Sequence, residues 1–246
     1  MNGYSLLLSA VRAQTVMELR LAFRRGESVL LTLIVPPVLL AFLGTMGPMT
    51  SITERSLDAL VPGIVTLAVI SSAMVSLGIA TAFERYYGVL KRLGSTPLPR
   101  AGLIAAKICA VLVLEIVQIA IIAAIAGFLL HWHPPAGWWP AVPVLIVGTF
   151  CFASLGLFMA GTLRAETTLA LANGLYLLFL LAGGLVLPID FLPGWLQLVA
   201  YGLPAYAMES VLSAALLQGS YGDSLPLFVI WSGVSLAAAV RFFRWE

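Results

Sequence analysis

Six long apolar runs dominate this sequence and leave little room for any fold that is not embedded in a membrane. The runs are residues 29–46, 60–83, 103–130, 142–163, 167–187 and 225–240. Each is near the roughly 17 to 25 residues that a helix needs to cross a bilayer. Charged residues make up only 10% of the chain, whereas a soluble domain usually carries about a quarter. The sequence therefore predicts an all-α integral membrane protein with six transmembrane helices.

Three prolines lie inside these runs, and they predict kinks rather than breaks. Pro36 and Pro37 fall in the first run and Pro62 in the second. Neighbouring helices can satisfy the backbone carbonyls that such prolines leave without a donor. We see no internal repeat, low-complexity segment or long linker, and we therefore expect a single membrane domain over residues 1–246.

The basic residues fall almost entirely on one side of the predicted membrane. Twelve of the 13 Lys and Arg residues lie in the N-terminal segment, the second and fourth connections, the foot of the third run or the tail. The other side has only Arg55, with Glu54 and Asp58 nearby. By the positive-inside rule, this distribution predicts that both termini are cytoplasmic. The net charge of +2 indicates no particular partner, and no nucleic-acid partner is expected.

The connection at residues 83–100 reads FERYYGVLKRLGSTPLPR and mixes charged with large apolar side chains. Gly94, followed by prolines, is a helix stop signal. A short helix held against the membrane by the ends of two spans would suit docking on a soluble partner. The alternative is an ordinary positive-inside loop, in which Arg85, Lys91 and Arg92 only set the topology. The residues alone leave both interpretations open.

The outer connection at residues 188–224 is too apolar for a free extracellular loop. Its apolar runs are too short to cross a bilayer, but paired short helices can dip into the membrane where they pack against protein. This pattern favours a re-entrant helical hairpin that could gate a pathway from outside. The alternative is a pair of interfacial helices lying flat, with Trp195 and Tyr201 at the headgroup level.

These two connections carry residues that resemble the signature of the ABC-2 type permeases. The first group is Glu84, Arg85, Gly88, Lys91, Arg92 and Leu93, followed by Thr96, Pro97 and Leu98. It is similar to the family's cytoplasmic helix, in which an acidic-basic pair comes first and a Thr-Pro-Leu-like turn last. The second group is Leu187, Pro188, Ile189, Leu192, Pro193, Trp195, Leu196, Pro204 and Glu209, and it resembles the proline-rich start of the family's extracellular re-entrant helices. The resemblance covers nearly the whole chain and is strongest to the short drug- and lipid-export permeases of bacteria.

The resemblance implies a multi-pass permease of the bacterial plasma membrane that pairs with a second permease, as a homodimer or heterodimer, and binds two ATPase subunits. It implies an ATPase-coupling helix within residues 83–100, with Glu84, Arg85, Tyr87, Gly88, Lys91, Arg92, Leu93 and Pro97 as coupling residues. It implies an outer gate within residues 188–224, with Pro188, Pro193, Trp195, Pro204 and Glu209 as gate residues. Residues 1–27 would form an interfacial helix, although their polar side chains scatter around a helical wheel.

The chain has no ATPase site of its own. A P-loop requires a lysine directly after a glycine, because that lysine reaches the phosphates from a glycine-rich cradle. The two lysines, Lys91 and Lys107, each follow an apolar residue. ATP and Mg²⁺ would therefore bind to the partner ATPase, and we expect no cofactor, metal or catalytic residue in this chain. His131 and His133 have no third ligand near them in sequence and are better interpreted as interfacial histidines than as a zinc site.

Glu115 is the most unusual single residue, because it lies about halfway along the third apolar run. A carboxylate there costs about 2.5–3.5 kcal/mol on insertion scales. Gln118 lies one turn further and shares its helix face. The two residues are interpreted as a polar patch that lines a substrate path or the dimer seam, or alternatively as a hydrogen-bonded bridge between helices.

These observations favour a non-catalytic permease subunit of an ATP-driven exporter that moves an amphipathic drug, lipid or glycolipid outward. The alternative is a secondary transporter or channel-like protein without an ATPase, which would be expected to carry more buried charge for ion coupling. A membrane enzyme is disfavoured, because no His, Asp and Glu residues cluster at a membrane face. A scaffolding function is also compatible with the residues.

Overall fold

The computed structural model describes residues 3–24, 26–46, 57–93, 100–186, 189 and 192–243, and the regular structure in these ranges is entirely helical. The helices are α1 (Gly3–Arg24), α2 (Gly26–Met46), α3 (Leu57–Val69), α4 (Leu77–Tyr86), α5 (Val89–Leu93), α6 (Arg100–Ala124), α7 (Ala141–Thr162), α8 (Ala165–Ala182), α9 (Gly194–Tyr201), α10 (Pro204–Gln218) and α11 (Leu225–Phe242). A π-helical segment, Ile70–Ser76, joins α3 to α4, and a second, Ile125–Leu129, extends α6. We refer to residues 57–86 as the central span.

Five helical stretches of the described chain are long and apolar enough to cross a membrane, and they coincide with five of the six predicted runs. They are Leu57–Tyr86, Gly102–Leu129, Ala141–Thr162, Ala165–Ala182 and Leu225–Phe242. The remaining run corresponds to α2, whose fully described part is the shorter apolar helix Thr32–Met46. The helices continue through the prolines at 36, 37 and 62, as predicted. The count of six crossings stays a prediction.

The central span lies inside the bundle, enclosed by its neighbouring helices. All residues from 60 to 74 are buried, and the polar Thr66, Ser71 and Ser72 are among them. It packs against α2, α6, α7, α8 and α10. The π-helical segment widens one turn of this helix, and it carries Ser71, Ser72 and Ser76 among apolar residues.

Glycines let the backbone of the central span approach its neighbours closely. A Cβ atom at Gly63 would lie 1.9 Å from the Leu185 carbonyl oxygen, and one at Gly156 of α7 would lie 2.6 Å from the Met74 carbonyl oxygen. No side chain fits in either place. Small residues at helix contacts are typical of membrane bundles, where packing takes over from the hydrophobic effect.

The two ends of the bundle differ in charge, as the positive-inside pattern predicts. One end, which we call the basic end, contains the last turns of α4, α7 and α11 and the start of α6. Arg85 donates to the carbonyl oxygens of Gly161 and Leu163 there, and Phe243 packs against Gly161. At the opposite end, the Trp132 indole donates to Asp58 at 2.6 Å. Which end faces the cytoplasm remains a prediction.

Helix α1 lies beside α6 at the basic end, where the Thr15 hydroxyl is 3.4 Å from the Ala106 carbonyl oxygen. Its outward side exposes three arginines together with apolar side chains, namely Arg12, Val16, Met17, Arg20, Phe23 and Arg24. Its acidic residue, Glu18, points the other way, toward α6. The polar residues that scatter around the helical wheel thus belong to a basic, partly apolar outer side, whereas the Glu18 carboxylate faces inward.

The two informative connections are each split into two helical pieces. In residues 83–100, Glu84 and Arg85 belong to the last turn of α4, so the acidic-basic pair ends the central span instead of starting a separate helix. Gly88 turns the chain with φ 70°, and α5 follows. In residues 188–224, α10 is largely buried against α3, α7 and α11, whereas α9 exposes Trp195. Whether this pair is re-entrant or interfacial stays a prediction.

Candidate functional site

A cavity of about 670 Å³ opens between α1, α2, the central span, α6 and α8. Most of its lining is apolar, with polar groups concentrated at two levels. At the basic end the lining includes Glu18, Glu84 and Lys107, and deeper in the bundle it includes Ser72 and Gln118. A cavity of this size, apolar with a few placed polar groups, is typical of ligand pockets in proteins.

A buried ion cluster forms the level at the basic end. The Lys107 ammonium is 2.5 Å from Glu84 and 3.0 Å from Glu18. Lys107 is 3% exposed, and its neighbours are also largely shielded from solvent. Burying any one of these charges alone would be costly, so each needs its oppositely charged partner nearby. The cluster therefore holds α1, α4 and α6 together.

Behind the deeper level of the cavity lies Glu115, which contacts two hydroxyl groups, one of them that of the lining residue Ser72. The Ser72 hydroxyl is 2.7 Å from Oε1, and the Thr149 hydroxyl is 2.5 Å from Oε2. These contacts join α6 to the π-helical segment of the central span and to α7. Glu115 is 3% exposed, so its carboxyl group is buried within the chain, and each of its oxygens has a hydrogen-bond partner.

Gln118 lies one turn from Glu115 and lines the same cavity. Its side-chain amide donates to the Thr32 carbonyl oxygen of α2 at 2.8 Å. Gln118 is therefore a link between α6 and α2, as Glu115 is a link between α6, α7 and the central span. The shared face expected of the pair is present, while their role in a substrate path stays a prediction.

Arg85 lies in the last turn of α4 and reaches the end of α7. Its two terminal nitrogens donate to the carbonyl oxygens of Gly161, at 2.6 Å, and of Leu163. These carbonyls are among those that a helix end leaves without an intrahelical partner. A guanidinium can bind two of them at once, because its donors form a fixed fork. Glu84 and Arg85 thus have partners within the chain, and they fix the orientation of the turn that follows them.

Beyond this anchored pair, the chain exposes an aromatic and basic surface. Tyr86 and Tyr87 are 65% and 66% exposed, and their rings contact each other edge to face. Lys91 and Arg92 of α5 are also exposed, whereas Leu90 between them and the bundle is buried. We call Tyr86, Tyr87, Lys91 and Arg92 the basic-end surface. Its apolar and charged groups lie on a turn that Glu84 and Arg85 anchor to the bundle.

The residues predicted for the outer gate are spread over α9 and the start of α10. Pro193 precedes α9, Trp195 is 70% exposed, and Pro204 is the first residue of α10. Glu209 is 7% exposed within α10. The structure brings these residues near one connection but does not gather them into one site. Two further predicted residues, Pro97 and Pro188, lie outside the described residues.

The sequence did not single out several residues that prove central to the two clusters. The sequence indicates Lys107 only as a topological signal and as a lysine without a preceding glycine, and it does not single out Glu18, Ser72 or Thr149. Of these residues, Glu18 has the clearest signal in the sequence, because it is the acidic residue of an otherwise basic helix. Within the described residues, no three His, Cys, Asp or Glu side chains are grouped to hold a metal ion.

The chain is similar to known transport proteins over most of its length. A family model described as ABC-2 type transporter matches residues 9–217. A Bacillus subtilis protein named transport permease YvfS is 25% identical over 205 residues, which cover 82% of this chain and 84% of that protein. Heme exporter protein B of Paracoccus denitrificans is 32% identical over 181 residues, covering 72% and 78% of the two chains. Its namesake in Rhodobacter capsulatus is 28% identical over 234 residues, covering 94% and 100%. The chain therefore belongs to the ABC-2 type transporter family of membrane permeases.

Proposed function

We propose that this chain is the membrane subunit of an ATP-driven exporter, in which separate ATPase subunits hydrolyse ATP and drive an amphipathic substrate outward. Membership of the ABC-2 family supports the transport role. The lack of a lysine after any glycine supports a separate ATPase, because a P-loop needs that pair. The proposal includes the bacterial plasma membrane as the location, with both termini in the cytoplasm.

The observation that carries this proposal is the basic-end surface and the way it is anchored. Exposed tyrosines beside basic side chains are typical of protein interfaces, where aromatic residues supply contact area and Arg is enriched. Glu84 and Arg85 hold this surface to α6 and α7 through their bonds to Lys107 and Gly161. A movement imposed on Tyr86 and Tyr87 by an ATPase would therefore pass directly into the bundle.

In this proposal the coupling residues have two different roles. Tyr87, Lys91 and Arg92 contact the ATPase, and Gly88 provides the turn that presents them. Glu84 and Arg85 transmit the movement instead of meeting the partner. Leu93, at the end of α5, and Pro97 complete the segment that the family resemblance assigns to coupling.

Co-purification with ATPase subunits tests this proposal. The chain is extracted from its host with mild detergent, and the recovered ATPase is quantified by mass spectrometry. A variant with Tyr86→Ser, Tyr87→Ser and Lys91→Glu should lose the ATPase while remaining monodisperse. Trp139→Ser is the matched control, because Trp139 is 85% exposed but belongs to the opposite end. Recovery of no ATPase with the wild-type chain would instead favour a secondary transporter.

The proposed substrate is a bulky molecule with both apolar and polar parts. The largely apolar cavity, with Gln118 and the Glu115 cluster at its deep end, suits such a molecule. The family resemblance suggests a drug, lipid or glycolipid. Two relatives are named heme exporter protein B, which adds haem, itself an amphipathic ring with carboxylates, to the candidates. Stimulation of ATP hydrolysis by each compound class, measured on the reconstituted complex, would separate these candidates.

A second permease and membrane lipid are proposed to cover the outer faces of the bundle. Only 17% of the most apolar window of α11 is buried within the chain, and 28% of that of α8. Apolar helices exposed to this degree need either lipid or another membrane helix against them. The proposed outer gate, formed by Pro188, Pro193, Trp195, Pro204 and Glu209, would lie at the far end of the path between two such subunits.

A further inference from the structure

We infer that Glu115 is a proton-binding site that exchanges its proton with the solution at the basic end of the bundle, through the cavity and the Ser72 hydroxyl. This inference goes beyond the proposed transport function and does not depend on which substrate is carried. Three observations bear on it: the geometry around the carboxyl group, the hydrogen-bond options of its neighbours, and the position of Ser72 in the cavity wall.

The hydrogen-bonding options around Glu115 satisfy both of its protonation states. When the carboxyl group is ionised, the hydroxyls of Ser72 and Thr149 can donate to its two oxygens, at 2.7 and 2.5 Å. A serine hydroxyl has one proton, and Ser72 Oγ also lies 3.0 Å from the Ala68 carbonyl oxygen of its own helix. When Glu115 is protonated at Oε1, it can donate to Ser72 while Ser72 donates to Ala68. No buried polar atom loses its partner in either state, so gaining a proton needs only a hydroxyl rotation.

The route to the solution follows from the cavity. Ser72 is part of the cavity wall, and so are Lys107 and Glu18 at the basic end. Glu115 lies eight residues from Lys107 along α6, which is about 12 Å at 1.5 Å per residue. The cavity is large enough for several water molecules, and the polar groups at both levels can bind them. A proton arriving on water can thus pass to Ser72 Oγ as the Ser72 proton passes to Glu115, so the carboxylate gains one proton and Ser72 gains none.

Among the described residues, the charged groups that line the cavity lie at the basic end. Lys107, Glu18 and Glu84 line the cavity there. At the level of Glu115, the central span contributes Ser72 and α7 contributes Thr149, and α2 contributes the carbonyl oxygen that accepts from Gln118. In α8, the polar lining residue is Asn173. Protonation of Glu115 therefore changes the charge of a level that is otherwise neutral among the described residues.

The proton has a structural consequence for the central span. In both states a hydrogen bond joins Ser72 to Glu115, but its donor changes. Ser72 donates to the ionised carboxylate, whereas the protonated carboxyl group donates to Ser72, which then donates to the Ala68 carbonyl oxygen of its own helix. The π-helical segment that carries Ser72 continues into α4, which leads to the basic-end surface. The proton on Glu115 thus sets the direction of the hydrogen bond between α6 and the helix that leads to that surface.

Infrared difference spectroscopy of the purified chain in lipid nanodiscs tests this inference without any transport assay. Lowering the pH should produce the C=O stretching band of a protonated carboxyl group that is missing in Glu115→Gln. Transfer to D₂O should shift this band quickly, because the proton exchanges through the cavity. Leu114→Trp, which fills the cavity wall beside Glu115, should slow that shift several-fold. Ile116→Trp is the matched control, because residue 116 is 67% exposed on the outer side of the same helix.

Two further variants protect the test against misfolding. Leu114→Phe replaces Leu114→Trp if the larger side chain prevents purification, and Thr149→Val removes one hydrogen bond and should move the band without abolishing it. A Glu115-dependent band that appears on acidification and exchanges more slowly in the filled variant supports the inference. The inference is overturned if no such band appears, if the band does not change with pH, or if exchange is equally fast in the filled and wild-type chains.

Discussion

The central span and α11 are both apolar enough to cross a membrane, yet the protein uses them in opposite ways. In their most apolar windows, 89% of the residues of the central span are buried within the chain but only 17% of those of α11. The central span carries Thr66, Ser72 and Glu84 inward, whereas α11 presents Val240 and other apolar side chains outward. Length and hydropathy thus identify a span, but they do not distinguish a span that is enclosed by the chain from one that lies on its outer face.

The difference also separates the places where a substitution is costly from those where it is tolerated. Around the central span, helix backbones are in close contact and charged side chains are buried. A substituted side chain there cannot be accommodated without moving its neighbours. On α11 and on the outer side of α6, many apolar side chains lie exposed at the surface of this chain. A position beside the central span and a chemically matched position away from it should therefore respond differently to the same kind of substitution.

The largest expected effect concerns the enclosed ion cluster. Lys107→Met leaves two carboxylates without their shared ammonium, which costs about 3–5 kcal/mol in the free energy of unfolding for a buried pair. Lys91→Met, at an exposed position of α5, should leave stability nearly unchanged. Thermal unfolding in detergent, followed by loss of monodisperse protein, measures both. Equal melting temperatures for the two variants would mean that the cluster does not stabilise the bundle.

The next effect concerns backbone contact. Gly63→Ala places a Cβ atom 1.9 Å from the Leu185 carbonyl oxygen, so the helices must separate, at a cost of about 1–3 kcal/mol or more. Gly233→Ala, on α11, meets nothing within 4 Å, and should stabilise its helix by roughly 0.5–1 kcal/mol. The same unfolding assay should therefore give shifts of opposite sign. A destabilised Gly233→Ala would show that this face of α11 is covered.

A smaller effect is expected for the hydroxyl that binds Glu115. Thr149→Val keeps the shape of the side chain but removes one interhelical hydrogen bond, which costs about 0.6 kcal/mol on average in membranes and up to about 1.7. Thr162→Val is the control on the same helix, because that exposed hydroxyl bonds only within α7, to Phe158 at 2.7 Å and to Met159. A melting temperature lowered in Thr149→Val alone is the expected outcome. Equal shifts would argue against a special role for the Glu115 cluster.

The smallest effect on stability, with a larger one on coupling, is expected at Arg85. Arg85→Lys keeps the charge but cannot bind two carbonyl oxygens in a fork, so the end of α7 loses one donor. Unfolding should change little, because the side chain is only partly buried. ATP hydrolysis and transport by the reconstituted complex should become less tightly linked. Unchanged coupling in Arg85→Lys would remove Arg85 from the proposed transmission path.

The spans could be predicted from the sequence because crossing a bilayer depends on length and composition, which are local properties. The ion cluster could not, because its partners are far apart in the chain: Lys107 lies 23 residues from Glu84 and 89 from Glu18. Glu115 was visible as a carboxyl group in an apolar run, but its partners were not, since Ser and Thr in membrane helices commonly bond to their own backbone. The sequence also could not predict that Glu84 and Arg85 belong to the last turn of α4, because their position depends on tertiary contacts with α6 and α7.

If the basic-end surface docks an ATPase, as proposed, site-specific photo-crosslinking should detect the contact. A photoreactive phenylalanine analogue is placed at Tyr87, or at Trp139 as the exposed control, and cells are irradiated before extraction. We expect a crosslinked product that contains this chain and an ATPase subunit from position 87 and none from position 139. Efficient crosslinking to ATPase from position 139 but not from position 87 would contradict it.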